Sequence, residues 1–319
     1  MTSFITGGSG LMGVEVVRLL LEQGEKPVVF SRNPSTPKLA DVADHVEGIA
    51  GDLGIFSHVL NAVKKTRPDV IYHMGGMLSV PSDADPASAI QANALGTFHV
   101  LEAARLFDVS QVLFTSSLGV YGADIKEDFI DDNTVQHPLL FYGATKVFAE
   151  NMGRFYKRKY GIDFRGIRYP SVLGPGIRTP GVAQYNPGVI EECAKGNPFT
   201  IWVTPETRIP IMYFTESARA IVELGQAPVE KIKTVNYVLT GITPTPSAAD
   251  LADVVRAKIP GAQIKFQPDP ELQPILDDIG RRVDDSNARR EWGWKPGLDL
   301  EHSVEEFLKE LKANPDRYV

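Results

Sequence analysis

Phe4-Ile5-Thr6-Gly7-Gly8-Ser9-Gly10-Leu11-Met12-Gly13 joins an apolar run to glycines three residues apart, and an amphipathic segment follows. The order of these parts decides the fold. Gly7 permits a tight turn after a strand, Gly10 lets backbone amides approach a pyrophosphate, and Gly13 allows helix and strand to pack closely. The spacing predicts a helix from Leu11 to Gln23, with Val14, Val17, Leu20 and Leu21 facing a sheet and Gly24 as its stop. The start of such a helix offers the N–H groups of Leu11, Met12 and Gly13, and the positive end of its dipole, to an anion. Strand, glycine turn and helix together predict a dinucleotide site.

Working outward, strands and helices keep alternating. Pro27–Phe30, Val46–Asp52, the stretch Asp69–Gly76 with its glycine turn, Val112–Ser116 and Phe164–Tyr169 read as strands. Helices are expected around Val59–Val63, Ala87–Phe107 and Phe141–Tyr160. Continuous apolar strands separated by helices indicate an α/β protein with a parallel sheet covered on both faces. Right-handed crossovers make it doubly wound, a Rossmann fold with ligands beyond the carboxyl ends of the strands. From Pro170 the texture changes, with prolines at 170, 175, 180, 187, 198, 205 and 210, and again between 244 and 274. The expected organisation is a dinucleotide-binding domain of residues 1–170 with 209–240, where Thr234–Leu239 returns to the sheet. A smaller, substrate-binding lobe takes 171–208 with 241–319.

Bulk properties narrow the class. The 319 residues are 43% hydrophobic and 23% charged, as in ordinary globular proteins, and the net charge of −7 gives no footprint for nucleic acid or an anionic membrane. The single cysteine, Cys193, allows no intramolecular disulfide and reads as a buried helix residue. Without a Cys/His cluster no metal site is expected. No apolar run of 18 residues occurs, and the N-terminus enters a core strand at once, so the expectation is a cytoplasmic protein.

Tyr142-Gly143-Ala144-Thr145-Lys146 places a phenol and an ammonium at i and i+4, on one face of a helix. Such a lysine, with the positive charge of a bound nicotinamide, would lower the phenol's pKa and make Tyr142 an acid/base near neutral pH. Alone, the spacing equally suits a solvated helix face. Thr115-Ser116-Ser117-Leu118-Gly119-Val120-Tyr121-Gly122 ends the fifth strand about one helix length earlier, where a hydroxyl can bond a substrate oxygen beside Tyr142. Alone, Ser116 and Ser117 equally suit a cap or turn.

With these residues in place the sequence resembles the extended short-chain dehydrogenase/reductases, the NAD(P)-dependent epimerase/dehydratase family. The likeness spans nearly the whole chain. It rests on Gly7/Gly10/Gly13, Gly51-Asp52-Leu53, His73-Met74-Gly75-Gly76, Asn93 with Gly96-Thr97, Ser116-Ser117, Tyr142/Lys146, and Arg168-Tyr169-Pro170-Ser171 through Gly174-Pro175-Gly176. The resemblance implies that Ser117 is the catalytic hydroxyl, Tyr142 the acid/base, and Lys146 the residue that holds the nicotinamide ribose and tunes Tyr142. It places Asp52 and Leu53 at the adenine and Met74, Gly75 and Gly76 along the pyrophosphate and ribose. Asn93 supports the site, Thr115 lines the cofactor groove, and Tyr169 and Ser171 flank the nicotinamide.

The cofactor is expected to be NADP, with NAD as the alternative. The stretch after the second strand, Phe30-Ser31-Arg32-Asn33, lacks the carboxylate that usually bonds the ribose of NAD. Ser31 removes a repulsion toward a 2′-phosphate, and Arg32 can form a forked contact with it.

Dehydratases of the family carry an Asp-Glu pair after the catalytic hydroxyl, where this chain has Leu118-Gly119, so elimination is disfavoured. Sugar-nucleotide epimerases typically carry Asn at Ser171 and an Arg matching Arg208, which leaves that reading open. Within the family the sequence resembles the short-chain type of L-threonine 3-dehydrogenases, through Gly76–Ser79, Glu206–Tyr213, Thr243–Pro246 and the long Asp284-Asp285-Ser286-Asn287-Ala288-Arg289-Arg290-Glu291-Trp292-Gly293-Trp294. Trp292 and Trp294 are expected to pack into the small lobe. Three departures stand out: Gly181-Val182-Ala183-Gln184-Tyr185 where that group has Gly-Thr-Thr-Asp-Tyr, Arg32 near its NAD-binding acid, and Ser117 for its usual Thr. The first makes that wall less polar.

The expected activity is hydride transfer between a nicotinamide dinucleotide and a small alcohol or carbonyl compound, with Ser79, Ser117, Tyr185, Trp202 and Arg208 as candidates for the substrate pocket. Tyr185 and Trp202 also suit plain packing. The alternatives are a nucleotide-sugar epimerase with tightly held cofactor and a non-catalytic dinucleotide sensor. The resemblance further implies a homodimer through a four-helix bundle formed by the helices at Ala87–Phe107 and Phe141–Tyr160.

Overall fold

Phe4 and Ile5 are adjacent in sequence, fully buried, and feed different cores, because successive side chains of a strand point to opposite faces. That small fact describes the architecture: a sheet with helices on both sides. The computed structural model describes residues 1–122, 125, 127, 129–177, 179–280 and 282–318.

The main sheet contains β1 (Thr2–Thr6), β2 (Lys26–Ser31), β3 (Glu47–Ala50), β4 (Val70–His73), β5 (Gln111–Ser117), β6 (Asp163–Tyr169) and β7 (Asn236–Val238). Its order is β3-β2-β1-β4-β5-β6-β7, and every neighbouring pair is parallel. The order reverses between β1 and β4, which opens a crevice at their carboxyl ends. On one face α1 (Leu11–Glu22) contributes Val14, Val16, Val17 and Leu20 to a core shared with Ala218, Ile221 and Leu224 of the helix Phe214–Gln226. On the other face, α2 (Phe56–Thr66), α3 (Gly96–Leu106) and α4 (Phe141–Tyr160) enclose Phe4, Val28, Phe114 and Phe164.

The helix expected across Ala87–Phe107 is not uniform. A helical turn at Pro86–Ala89 passes into a π-helical stretch, Ile90–Leu95, before α3 begins. The wider turn carries Asn93, a placement typical of functional positions. By contrast, α4 runs over the expected residues. It stops at Gly161, whose φ of +74° suits a left-handed cap, and Lys157, Arg158 and Lys159 complement its dipole.

A second core gathers Leu173, Tyr185, Val189, Ile190, Cys193 and Ile201 with Leu251, Val255, Val304 and Phe307. It is dressed by two short parallel pairs, Ser171–Leu173 with Ile211–Tyr213 and Phe199–Ile201 with Ile264–Phe266. Contrary to the expectation that Trp292 and Trp294 pack into the small lobe, neither joins this smaller core. Trp294 is fully buried in the core of β1 and α1, and Trp292 packs against it and edge-on to Tyr237 of β7. Polar contacts decide the side. Glu291 accepts hydrogen bonds from Lys233 N–H, Thr234 N–H and the Tyr237 hydroxyl, Asp285 accepts from the Thr240 hydroxyl, and Arg219 lies over the Trp294 ring. Among the described residues, no helix is long and apolar enough to cross a membrane.

Candidate active site

At the end of β1, Gly7 has φ +69° and lies so close to the β4 turn that a Cβ would come 2.8 Å from Gly75 Cα. At Gly13 a Cβ would meet the Gly7 carbonyl oxygen and lie 2.6 Å from Gly8 Cα, so α1 can approach its strand only without a side chain there. The first intrahelical bond of α1 runs from Val14 N–H to the Gly10 carbonyl at 3.0 Å, which leaves the N–H groups of Leu11, Met12 and Gly13 outside the ladder. No acidic residue occupies this first turn. The result is a side-chain-free cradle of donors, suited to the pyrophosphate of a dinucleotide.

The opposite wall is fixed by a buried relay. Thr6 Oγ1 accepts from Met74 N–H and Gly75 N–H, both at 3.1 Å, so its own proton goes to His73 Nδ1 at 2.8 Å. Thr97 Oγ1 donates to the Asn93 carbonyl at 2.6 Å, and His73 Nε2–H therefore donates to Thr97 at 3.0 Å. Burial, and secondarily the Lys146 charge, push the His73 pKa down to about 3, which keeps the imidazole neutral in this chain. Asn93 completes the wall: its Oδ1 accepts from Met77 N–H at 2.7 Å, and its Nδ2–H₂ donates to the Met77 carbonyl and to Thr145 Oγ1, each at 3.1 Å.

Ser117 ends β5 and Tyr142 opens α4. The two meet because Gly143 backs onto the Gly119 carbonyl, where a Cβ would also reach 2.6 Å from Pro138 Cβ. The Ser117 hydroxyl accepts from Gly119 N–H at 3.0 Å, which leaves its proton free to donate. Lys146, one turn beyond Tyr142 and buried, donates to the Thr115 carbonyl at 2.8 Å and lies 5.6 Å from the centroid of the Tyr142 ring. Burial raises the phenol to about 12, and contact with the Ser117 hydroxyl only moderates this. The expectation that Lys146 depresses the phenol is therefore not met by the protein's own groups, because the ammonium sits on the ring face and is bonded elsewhere. Burial also lowers Lys146 itself, to about 8, against the supporting charge of Glu150.

Below this trio lies a dry ion pair. Arg168 of β6 meets Glu150 of α4 with Nη2–Oε2 at 2.7 Å and Nε–Oε1 at 3.0 Å, both side chains being at most 2% exposed. Ser116 donates to Glu150 Oε1 at 2.6 Å, Gln136 Nε2–H₂ donates to Oε2 at 2.8 Å, and Arg168 also donates to the Tyr121 hydroxyl at 2.5 Å. The strand that carries Ser117 is thus tied to the helix that carries Tyr142 and Lys146.

A cleft of about 570 Å³ runs across this surface. Of the residues singled out from sequence it collects Gly7, Gly10, Leu11, Met12, Gly13, Met74, Gly76, Ser79, Thr115, Ser117, Tyr142, Lys146, Tyr169 and Ser171. Gly75 and Asn93 stand directly behind it. Ser31, Arg32, Asp52 and Leu53 lie beyond its enclosed part, at the end of β2 and after β3: Ser31 accepts from the Ser9 hydroxyl at 3.0 Å, Asp52 caps Gly54 N–H at 2.8 Å, and Arg32 is exposed. Tyr169 turns its hydroxyl away, to the Ser217 carbonyl at 2.8 Å.

Three expected substrate contacts fall outside the cleft lining. Tyr185 is buried in the lobe's core, and Trp202 meets it edge-on while donating to the Val182 carbonyl at 2.9 Å. Arg208 turns outward to the Thr245 carbonyl at 2.6 Å and Asp250 at 3.4 Å. The sequence reading did not single out Glu150, though it stands at i+4 from Lys146, a spacing that could have drawn attention to it. Nor did it assign Gln184 and Lys38, which line the cleft with no local signal. Among the described residues no cluster of three or more His, Cys, Asp or Glu could hold a metal ion.

Comparison with known proteins gives a consistent picture. The family described as "NAD dependent epimerase/dehydratase family" matches residues 3–239. The mitochondrial L-threonine 3-dehydrogenase of Bos taurus is 30% identical over 306 residues, which span 95% of this chain and 81% of that protein. A solved structure, a monomeric L-threonine 3-dehydrogenase from a metagenome, superposes with a TM-score of 0.89 at 25% identity, covering 98% of this chain and 99% of that one. The UDP-glucose 4-epimerase of Thermotoga maritima superposes with a TM-score of 0.86 at 21% identity over 99% and 100% of the two chains, a likeness of fold.

Proposed function

Since the chain belongs to the NAD-dependent epimerase/dehydratase family, the extended short-chain dehydrogenase/reductases, we propose that Ser117, Tyr142 and Lys146 are its catalytic residues. It is an oxidoreductase of the threonine 3-dehydrogenase-like type, and its substrate is a small alcohol or carbonyl compound. The observation that carries the assignment is the meeting of Ser117 with Tyr142 above Lys146, at the mouth of the side-chain-free cradle before α1.

The cradle fits a dinucleotide. The amides of Leu11, Met12 and Gly13 would hold its pyrophosphate, and Lys146, beside Thr115, its nicotinamide ribose. Met74, Gly76, Tyr169 and Ser171 line the rest of the groove. When bound, a nicotinamide ring supplies or takes the hydride and, oxidised, brings a positive charge that lowers the phenol's pKa. Alcohol oxidation releases one hydride, with its electron pair, and one proton. Tyr142 Oη takes that proton in oxidation and gives it to the carbonyl oxygen in reduction, while the Ser117 hydroxyl donates a hydrogen bond that orients the same oxygen. The buried Lys146 keeps its place through the Thr115 carbonyl and holds positive charge under the phenol's ring.

NADP is the preferred cofactor, on the strength of the exposed Arg32 and the absence of a carboxylate at Ser31–Asn33. The protein is a homodimer, supported by exposed Phe98, Phe148 and Phe155 on α3 and α4. Its place is the cytoplasm, in keeping with a single, buried, unpaired Cys193. A nucleotide-sugar epimerase finds less support, since Arg208, its candidate diphosphate ligand, faces Thr245 and Asp250.

Tyr142→Phe tests the core of this reading. Hydride transfer to or from any alcohol or carbonyl substrate should fall by at least a hundredfold, with dinucleotide affinity within threefold of the parent. Turnover that survives the change removes Tyr142 from proton transfer.

A further inference from the structure

Two buried oxygen atoms on the substrate side have no partner among the described residues. Gln184 lines the cleft and its Oε1 is buried and unbonded, and Asn186, 1% exposed and two residues on, has an unbonded Oδ1. Buried amide oxygens are nearly always paired, and because Gln184 itself borders the cleft, a turn of its side chain would bring the closed-off Oε1 to a ligand donor there.

The segment that carries them is anchored. Val182 N–H donates to Ser79 Oγ at 3.4 Å, Trp202 Nε1–H donates to the Val182 carbonyl at 2.9 Å, and Gln184 N–H donates to the Gly181 carbonyl at 3.1 Å. Asn186 Nδ2–H₂ spends its protons on the Ala183 carbonyl at 3.2 Å and Ser171 Oγ at 3.4 Å, which fixes which end of that amide is oxygen. Trp202, expected as a substrate contact, therefore acts as a buttress of the wall.

The surroundings decide what Gln184 can receive. Leu118, Leu140, Val172, Val182 and Ile209 are among the apolar residues of the cleft, its polar side chains beside this segment are the neutral Ser79 and Ser171, and no Asp or Glu lines it among the described residues. An ammonium group there would lose its water without gaining a counter-charge. The two lining cations are already engaged: Lys146 donates to the Thr115 carbonyl, and Lys38 lies over the Tyr318 ring. A hydroxyl suits an amide in both directions, since each can donate and accept at once.

We propose that Gln184 is a specificity-determining residue which reads a second, neutral hydroxyl on the substrate, so that the substrate is a diol or hydroxyketone rather than an amino or carboxylic acid. This rests on the oxidoreductase reading of the same site. A site built to bond a hydroxyl discriminates strongly against an analogue that lacks it.

The test compares kcat/KM for dinucleotide-linked oxidation of butane-2,3-diol, butane-1,3-diol, butan-2-ol, 3-hydroxybutyrate and L-threonine. A diol should exceed each of the other three by at least tenfold. In Gln184→Leu, which keeps the volume, the ratio of diol to butan-2-ol should fall at least tenfold, with folding checked by circular dichroism and dinucleotide titration. In Gln184→Glu the ratio of L-threonine to diol should rise. The proposal is overturned if L-threonine or 3-hydroxybutyrate is preferred by the parent, or if the diol ratio survives in Gln184→Leu. Turnover without diol preference sinks this proposal alone, whereas no turnover of any of the five overturns it together with the dehydrogenase reading.

Discussion

Ser116 donates a 2.6 Å hydrogen bond to Glu150, and through that contact β5 and α4 share one buried carboxylate. The same carboxylate holds Arg168 by two prongs. Removing it leaves a guanidinium that cannot shed its charge in a dry place. Glu150→Gln should therefore cost about 3–5 kcal/mol of stability, read by urea unfolding. Glu150→Leu combined with Arg168→Met should recover more than half of that loss. A single-variant loss below about 1 kcal/mol would show that the pair is not the unit described.

Asp132 gives a pH dependence with a definite sign. Its carboxylate is buried, accepting from Val238 N–H at 2.5 Å and Asn287 Nδ2–H₂ at 2.8 Å, and burial outweighs these donors to raise it to about 6 from an ordinary 3.8. In this window the folded chain holds a proton that the unfolded chain has lost, so stability falls as pH rises. The difference in unfolding free energy between the parent and Asp132→Asn should decline from about pH 4 to about pH 6 and then level off. A flat or rising difference would show that the carboxyl titrates as it does in water.

Arg32 is exposed at the end of β2, with no side-chain partner among the described residues. A forked contact with a 2′-phosphate would be charge-assisted and worth about 1.5–3 kcal/mol. Arg32→Ala should weaken NADP⁺ at least tenfold at fixed ionic strength and leave NAD⁺ within threefold, by isothermal titration calorimetry. Equal losses for both would take Arg32 out of cofactor choice.

Phe148 is 51% exposed and Phe155, seven residues along the same helix, 43%, an apolar stripe that water covers in an isolated chain. The parent should sediment as a dimer, and Phe148→Asp with Phe155→Asp should sediment as a monomer with unchanged circular dichroism. A monomeric parent, as in the metagenome relative, would leave the stripe unpaired.

What was readable in the chain follows the range of the interactions. Gly7, Gly13, Tyr142 and Lys146 act through spacings of one or two helical turns or one tight turn, and the local pattern sufficed to find them. Glu150 and Arg168 are 18 residues apart and Tyr121 and Arg168 are 47 apart; only the packing of β6 on α4 and β5 joins them. Arg208 is placed at the substrate by its match to the diphosphate-binding Arg of the epimerases; in the fold only its neighbours Ile209 and Pro210 line the cleft, and its own side chain reaches 37 residues along the chain to the Thr245 carbonyl. The two tryptophans were assigned to the nearer lobe in sequence, whereas Glu291 and Asp285 find their donors at residues 233–240. The π-helical turn at Asn93 had no signature in an apolar period that reads the same for both helix types.

The backbone travels repeatedly between its two bodies: out after β6, back at Phe214–Val238, out again through Leu251, back at Ala288–Trp294, and out once more to Val304 and Phe307. Such lacing means that widening the mouth of the groove bends several connecting threads at once, with no free lid to swing. A protease that severs one thread should yield two bands under denaturing electrophoresis and still a single particle on a native gel.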